Sequence, residues 1–310
     1  YRHEAMPVGS ASGLFDLQKI LSGPIFEKPK YTGKELADDA IIPKYTDLII
    51  QKSGLRPGVV NLAVKISAED LVRKELETIL DTLGIRPVND GHNIEFGFDF
   101  DGDRLAVFDH SGQKIRGDLI AGILASRLSG GFWHKPRLVH DSRFSRGVLE
   151  YLQSKKIGQV RSRVGHTFIK QTMRKCGADI GGELSGHLYF KELGYVESAV
   201  LAMLKIIKIL NESGRDINRL VEPMMTWHNS GEINQPMPDR IKTETMFEKL
   251  KGEYKDGKID ELDGLTVEYN DWWLNLRPSN TEPVLRLVVE AKTKKLLDEK
   301  LGKLINLFGN

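Results

Sequence analysis

Apolar side chains between Ala68 and Leu83 return at three- and four-residue intervals, so this stretch predicts a helix with one buried stripe. Upstream, the pattern predicts a helix from Tyr45 to Lys52 and a short strand near Val59 to Val64. Downstream, an apolar strand from Ile94 to Phe98 runs into an acidic turn, and a second strand follows from Leu105 to Phe108. Residues 113 to about 228 alternate: helix Asp118 to Leu128, strand Arg137 to His140, helix Ser145 to Ser154, strand Gln159 to Val164, helix Thr167 to Lys175, then a long helix from Ser198 to Asn211. Alternation of this kind predicts an open α/β sheet. From about 229 the order changes to a strand, a helix from Thr245 to Glu253, two strands around Leu265 to Leu276 and Val284 to Ala291, and a helix from Lys295 to Leu307. Helices on one side of a mostly antiparallel sheet predict a separate α+β domain. Residues 1 to about 37 mix Gly and Pro with one amphipathic stretch, Leu14 to Leu21, and hold too few apolar groups for a core; they read as the tail of something larger.

A chain of 310 residues exceeds what one hydrophobic core usually organises, about 250–300 residues, so two or three domains are expected. No apolar run approaches the roughly 18 residues of a membrane span, so no membrane partner is expected. With a net charge of +2 and basic residues interspersed among acidic ones, no nucleic-acid footprint is visible, though local phosphate sites remain open. Cys176 is the only cysteine, which excludes an intrachain disulfide and a cysteine-rich metal cluster and makes the cytoplasm the default compartment. The chain starts at Tyr1 without a signal-peptide pattern, so processing, trimming or fragmentation is expected.

Three loops carry candidate chemistry. Asp99, Asp101 and Asp103 alternate just beyond an apolar strand, a spacing suited to a hard cation such as magnesium, with Gly102 relieving the backbone and Arg104 facing a phosphate. An EF-hand is ruled out by Arg104 and His110 at its sixth and twelfth positions. A solvated acidic turn and a phosphatase with Asp99 as nucleophile stay open as alternatives. Gly181 to His187 packs glycines, including Gly182, around Glu183, Ser185 and His187, which can bond sugar hydroxyls, a ring oxygen or phosphate; a tight surface turn is the plainer reading. Just upstream, Arg163-Val164-Gly165-His166 can offer amides to an anion at the start of a helix. Finally, Arg277, Ser279, Asn280 and Thr281 lie between two strands, around and within the pair Pro278 and Pro283, with the donors and planar fork of a phosphate clamp; an ordinary polar turn leaves the arginine unexplained.

Taken in order, D-F-D-G-D-R, R-V-G-H, G-G-E-L-S-G-H and R-P-S-N-T-E-P resemble the α-D-phosphohexomutase family over roughly residues 40 to 310. The resemblance implies that Asp99, Asp101 and Asp103 hold Mg2+, that Glu183 and Ser185 read sugar hydroxyls, and that Arg277, Ser279, Asn280 and Thr281 clamp the phosphate not being transferred. Arg104, His166 and His187 match family positions near the substrate, and Arg143 stands where many members keep a basic residue. The implied activity is interconversion of a hexose 1-phosphate and a hexose 6-phosphate, mannose or glucose, through a phosphoserine and a bisphosphate intermediate, in a monomer or homodimer. The implied fold class is multi-domain α/β: two three-layer α/β domains with mixed sheets, 38–112 and 113–228, then an α+β domain, 229–310, with 1–37 a remnant of the phosphoserine domain. Departures are as informative. The family's T-A-S-H-N-P serine loop is absent, since Gly9-Ser10-Ala11-Ser12-Gly13 lacks its histidine, asparagine and proline. The connection between Leu83 and Ile94 is short, and Phe100 stands where glycine is frequent. The chain as given is therefore expected to lack the nucleophile and to be inactive alone, with a non-catalytic sugar-phosphate binder as a rival reading.

Overall fold

A computed structural model describes residues 6, 8–9, 13–23, 33–34, 37–129, 134–236, 240–279 and 282–308. Helix α1 (Leu14–Leu21) has no buried residue. After it, α2 (Ile41–Ser53), β1 (Val64–Ser67), α3 (Asp70–Leu83), β2 (Ile94–Phe98), β3 (Leu105–Asp109) and β4 (Lys114–Ile115) build a sheet in the order β1-β2-β3-β4. Its first pair is parallel and the other two are antiparallel. Val64, Ile94, Phe96, Leu105 and Val107 turn one face inward against Leu76 and Ile79 of α3. The alternate residues Lys65, Ser67 and Glu95 bond one another on the other face. Such polar residues are a poor platform for a further helix, and among the described residues the helices gather on the apolar side. Val59 to Asn61 do not extend β1 as the apolar pattern predicts. Their backbone is taken by a side chain instead: Asn61 N donates to Asn211 Oδ1 at 2.9 Å, and Asn211 Nδ2 donates to the Val59 carbonyl at 3.0 Å.

The second sheet grows from α4 (Gly117–Ser126), β5 (Arg137–Asp141), α5 (Arg146–Ser154), β6 (Gly158–Ser162), α6 (His166–Cys176), β7 (Ile180–Gly182), β8 (Leu188–Phe190), β9 (Val196–Glu197), α7 (Ala199–Ser213) and α8 (Ile217–Val221). Its order is β6-β5-β7-β8-β9, parallel through the first three and antiparallel after. Alternation along the strands separates two apolar layers. Leu138, Leu188 and Phe190 join the main core with α4, α5 and α7, while Val139 and Tyr189 pack on Ile169 and Met173 of α6. Three layers are therefore complete here. The main core is shared with the first sheet, because α7 lies against α2 and β3.

The third unit contains β10 (His228–Asn229), β11 (Ile233–Pro236), α9 (Arg240–Glu253), β12 (Lys258–Asp260), β13 (Leu265–Glu268), β14 (Trp272–Pro278), β15 (Val284–Ala291) and α10 (Lys294–Phe308). All its strand pairs are antiparallel, in the order β10-β15-β14-β13-β12 with β11 also on β15, and it closes over its own core. The multi-domain α/β class expected from the alternation of elements holds, with the α+β unit last. No helix among the described residues is long and apolar enough to cross a membrane.

Gly147 marks a tight seam, where the start of α5 lies on the chain after α8: a Cβ there would sit 2.2 Å from the Met224 carbonyl oxygen and 2.9 Å from Thr226 Oγ1. Gly147→Ala is expected to cost about 1–3 kcal/mol and to lower the thermal midpoint by about 2–6 °C in a circular-dichroism melt. Gly252→Ala, in α9 with nothing within 4 Å of the added carbon, is expected to leave the midpoint unchanged or to raise it, with a gain in stability of up to about 0.5–1 kcal/mol.

Candidate active site

The turn joining β2 to β3 is too tight to keep its three carboxylates apart. One oxygen from each of Asp99, Asp101 and Asp103 lies within 4.8 Å of the other two. Gly102 permits this, with φ 70° and no room for a Cβ, which would stand 2.8 Å from Val72 Cγ2 on α3. Arg104 steadies one end: its backbone N donates to Asp99 Oδ1 at 3.2 Å and its Nε lies 3.3 Å from Asp99 Oδ2. Asp103 Oδ1 is buried with no hydrogen-bond partner. Burial, reinforced by the charges of Asp99 and Asp101, holds the Asp103 carboxyl above its usual range. Mutually repelling carboxylates with one orphaned oxygen fit a hard cation such as Mg2+, which binds through oxygen ligands.

The glycine-rich loop between β7 and β8 folds onto this turn. Arg104 and His187 form an antiparallel bridge, and Leu105 N donates to the Gly186 carbonyl at 3.1 Å. Only glycine suits position 186, where φ is 99° and a Cβ would meet the Leu105 carbonyl oxygen at 2.6 Å. His187 consequently sits between two acids, its Nδ1 3.0 Å from Glu183 Oε2 and its Nε2 3.3 Å from Asp103 Oδ2. Burial opposes the imidazolium, but the bond to Glu183 and the charge of Asp103 prevail and raise its pKa. Glu183, 3% exposed, accepts from Gly165 N at 2.7 Å, Tyr189 Oη at 3.3 Å and Ser185 Oγ at 3.3 Å. The amide at Arg163-Val164-Gly165-His166 therefore serves an anion, as its place before a helix suggests, but that anion is the protein's own glutamate. His166 opens α6 beside it, its pKa lowered by burial and by Lys170. Ser185 is exposed on the loop, and Gly182 lies buried beneath it, where a Cβ would stand 2.6 Å from that of Ala121.

Arg277, near the end of β14, is 3% exposed. Its Nη2 donates to Glu232 Oε2 at 3.2 Å, while its Nε is buried without a partner. Burial, and then the neighbouring charge of Arg143, lowers its pKa. The following turn is closed by Ser279 N donating to the Val284 carbonyl at 2.8 Å. Asn280 and Thr281 lie outside the described residues.

Arg143 is not placed as an open catalytic group would be: it is 5% exposed and committed to two carboxylates, with Nη2 2.6 Å from Asp141 Oδ2 and Nη1 2.7 Å from Glu232 Oε2. Asp141 also accepts from Leu184 N of the glycine-rich loop at 2.9 Å. Burial would raise the Asp141 carboxyl, but Arg143 overrides it and holds the carboxyl below the usual range. A continuous polar path thus runs from Asp103 through His187 and the Glu183 loop to Asp141, Arg143, Glu232 and Arg277. The sequence patterns single out neither Asp141 nor Glu232. The D-S-R triplet at the end of a predicted strand is the one signal that points to Asp141, and Glu232, in a short polar stretch, has none.

Residues 116–227 match the family model described as phosphoglucomutase/phosphomannomutase, alpha/beta/alpha domain III, and residues 232–304 match that of the phosphoglucomutase/phosphomannomutase C-terminal domain. A phosphomannomutase of Methanocaldococcus jannaschii is 40% identical over 219 residues, which take in 70% of this chain and 48% of the relative, so the chain spans about half of that protein's length. A phosphoglucomutase/phosphomannomutase family protein from Burkholderia thailandensis superposes with a TM-score of 0.72 at 22% identity, over 86% of this chain and 63% of that one. N-acetylphosphoglucosamine mutase from Aspergillus fumigatus, solved in complex with GlcNAc-6P and magnesium, superposes with a TM-score of 0.60 at 14% identity, over 88% of this chain and 66% of that one. At such identities the two superpositions speak for the fold. With the two family models together covering more than half of its length and carrying three of the four ordered motifs, this chain belongs to the α-D-phosphohexomutase family.

Proposed function

We propose that this chain is the metal-, sugar- and phosphate-binding part of a phosphohexose mutase that interconverts hexose 1-phosphates and hexose 6-phosphates of mannose or glucose. The observation that carries this reading is the polar path joining the acidic turn, the glycine-rich loop and Arg277, because one bridging ligand could engage all three. Asp99, Asp101 and Asp103 hold Mg2+, which when bound supplies positive charge to a phosphoryl group in transfer. Arg104 faces that group from beside the carboxylates. Glu183 and Ser185 take sugar hydroxyls, and His187, whose protonated form is favoured by its two acids, donates toward the substrate from Nε2 or Nδ1 as it exchanges partners. Arg277, Ser279, Asn280 and Thr281 hold the phosphate that stays, the orphaned Nε of Arg277 being the donor in search of an acceptor. Lobes of 38–112, 113–228 and 229–310 wall the cleft, and exclusion of water protects the phosphoryl group from hydrolysis. The Aspergillus fumigatus mutase, which carries GlcNAc-6P and magnesium in its complex, supports the ligand class. The T-A-S-H-N-P motif does not occur in these 310 residues, and the segment Gly9 to Gly13 lacks its histidine, asparagine and proline.

Calorimetry on residues 1–310 is expected to register glucose 6-phosphate and mannose 6-phosphate, each more tightly with Mg2+ than without, while a coupled glucose 1-phosphate to glucose 6-phosphate assay stays flat. Absence of hexose-phosphate binding in both conditions would sink the reading, and release of inorganic phosphate would favour the aspartyl-nucleophile phosphatase instead.

Asp103→Asn is expected to weaken Mg2+ binding at least about tenfold by calorimetry, through loss of one of the clustered charges. The same change should raise the metal-free thermal midpoint. A carboxyl whose pKa is raised by folding opposes the fold wherever it is ionised, and the amide removes that opposition at neutral pH. A lower midpoint together with unchanged metal affinity would show that the turn is an ordinary solvated one.

A further inference from the structure

Glu232 is the hub of the joint between the second and third lobes. Its Oε2 is shared by Arg143 at 2.7 Å and Arg277 at 3.2 Å, and its Oε1 accepts from Arg286 Nη1 at 3.0 Å. The three arginines are not equally provided for. Arg143 has a second carboxylate in Asp141 at 2.6 Å, and Arg286 has one in Glu282 at 2.6 Å. Arg277 has, among the described residues, only the longest of the three legs to Glu232 as a direct ion pair, with Asp263 and Asp141 acting on it at longer range, and its buried Nε, like that of Arg286, has no hydrogen-bond partner there. A guanidinium with donors to spare, out of water and under-compensated, is an unfavourable resting state that a dianion relieves. The Glu232 side chain is 20% exposed and that of Arg277 4% exposed.

Building on the assignment of Arg277 to the phosphate clamp, we propose that Glu232 is a resident stand-in for the substrate phosphate. Its carboxylate keeps Arg277 in place while the site waits. When phosphate arrives, Arg277 turns its two-pronged face to the phosphate oxygens and its long leg to Glu232 is given up. Glu232 then remains bonded to Arg143 and Arg286, so no charge is stranded in the joint, which is the condition under which such an exchange proceeds without a large penalty. Glu232 is in this sense a positioning residue, setting the affinity of the clamp by competing for it.

A plain strut and a competitor give opposite results on neutralisation. Inorganic phosphate and glucose 6-phosphate are titrated calorimetrically into the 310-residue chain and its Glu232→Gln, Glu232→Asp, Arg286→Gln and Arg277→Ala variants, with melts to verify folding. Competition predicts that E232Q binds phosphate about tenfold more tightly, the worth of one charge-assisted bond no longer contested. E232D, which keeps the charge, stays close to the parent. R286Q leaves the carboxylate leaning harder on Arg277, and so weakens phosphate binding. Unchanged or weaker binding by E232Q overturns the proposal. If E232Q does not fold, R286Q decides, and unchanged or tighter binding by it overturns the proposal. The clamp itself is judged separately: loss of phosphate binding in R277A with no tightening in E232Q removes the competition alone, whereas phosphate binding that survives in R277A removes the clamp and the competition together.

Discussion

The guanidinium of Arg143 is the fixed point on which the cleft depends. Carried on the turn after β5, it grips Asp141 on its own lobe and Glu232 on the next, and each of those acids holds a further piece in place. Asp141 captures the Leu184 amide and with it the orientation of the glycine-rich loop; Glu232 captures Arg277. A buried charge bonded on both sides stabilises little by comparison with a well-packed apolar contact, but losing one partner from such a pair costs about 3–5 kcal/mol. The value of Arg143 to this molecule is therefore geometric: it sets where two lobes stand, at the one place where they must converge on a ligand.

The two joints between lobes are made of different material. The first and second lobes merge in a single apolar core and are stitched again at the cleft by the Arg104–His187 bridge. The third lobe meets the second mainly through charge, with Arg161 on Asp260 and Glu268, Arg146 on Glu268, and the Arg146 amide donating to Glu290, around a small apolar patch of Trp227, Trp273 and Val288. Apolar cores are close-packed and resist sliding, whereas ion pairs near a surface are re-formed at small cost and weaken with salt. The joint to the last lobe is accordingly the more polar of the two.

Most elements are legible in the sequence because their burial is one-sided and periodic. The stripe of α3 and the strand Ile94 to Phe98 both stand where apolar spacing puts them. The apolar pattern misplaces the strand near Val59 because its partner is a distant side chain, Asn211, which no local pattern encodes. Strands β7 and β9 escape the pattern for another reason: Ile180–Gly182 is mostly glycine and Val196–Glu197 is two residues long, so neither offers a period to read. At the site, the acidic turn and the glycine-rich loop announce themselves through residues whose chemistry is costly to keep without use. The resemblance marks Arg143 only as a place for a basic residue, and its commitment to Asp141 and Glu232 is not legible, because an arginine after a strand has the same appearance in sequence whether it points to a ligand or to an acid 89 residues further on.

Helix α7 buries side chains on nearly every side, from Ala199 to Leu210, and touches both α2 of one lobe and α4 of the other. A change of volume at Leu204 or Ile207 is thus registered by two sheets at once, and a compensating change has to suit both.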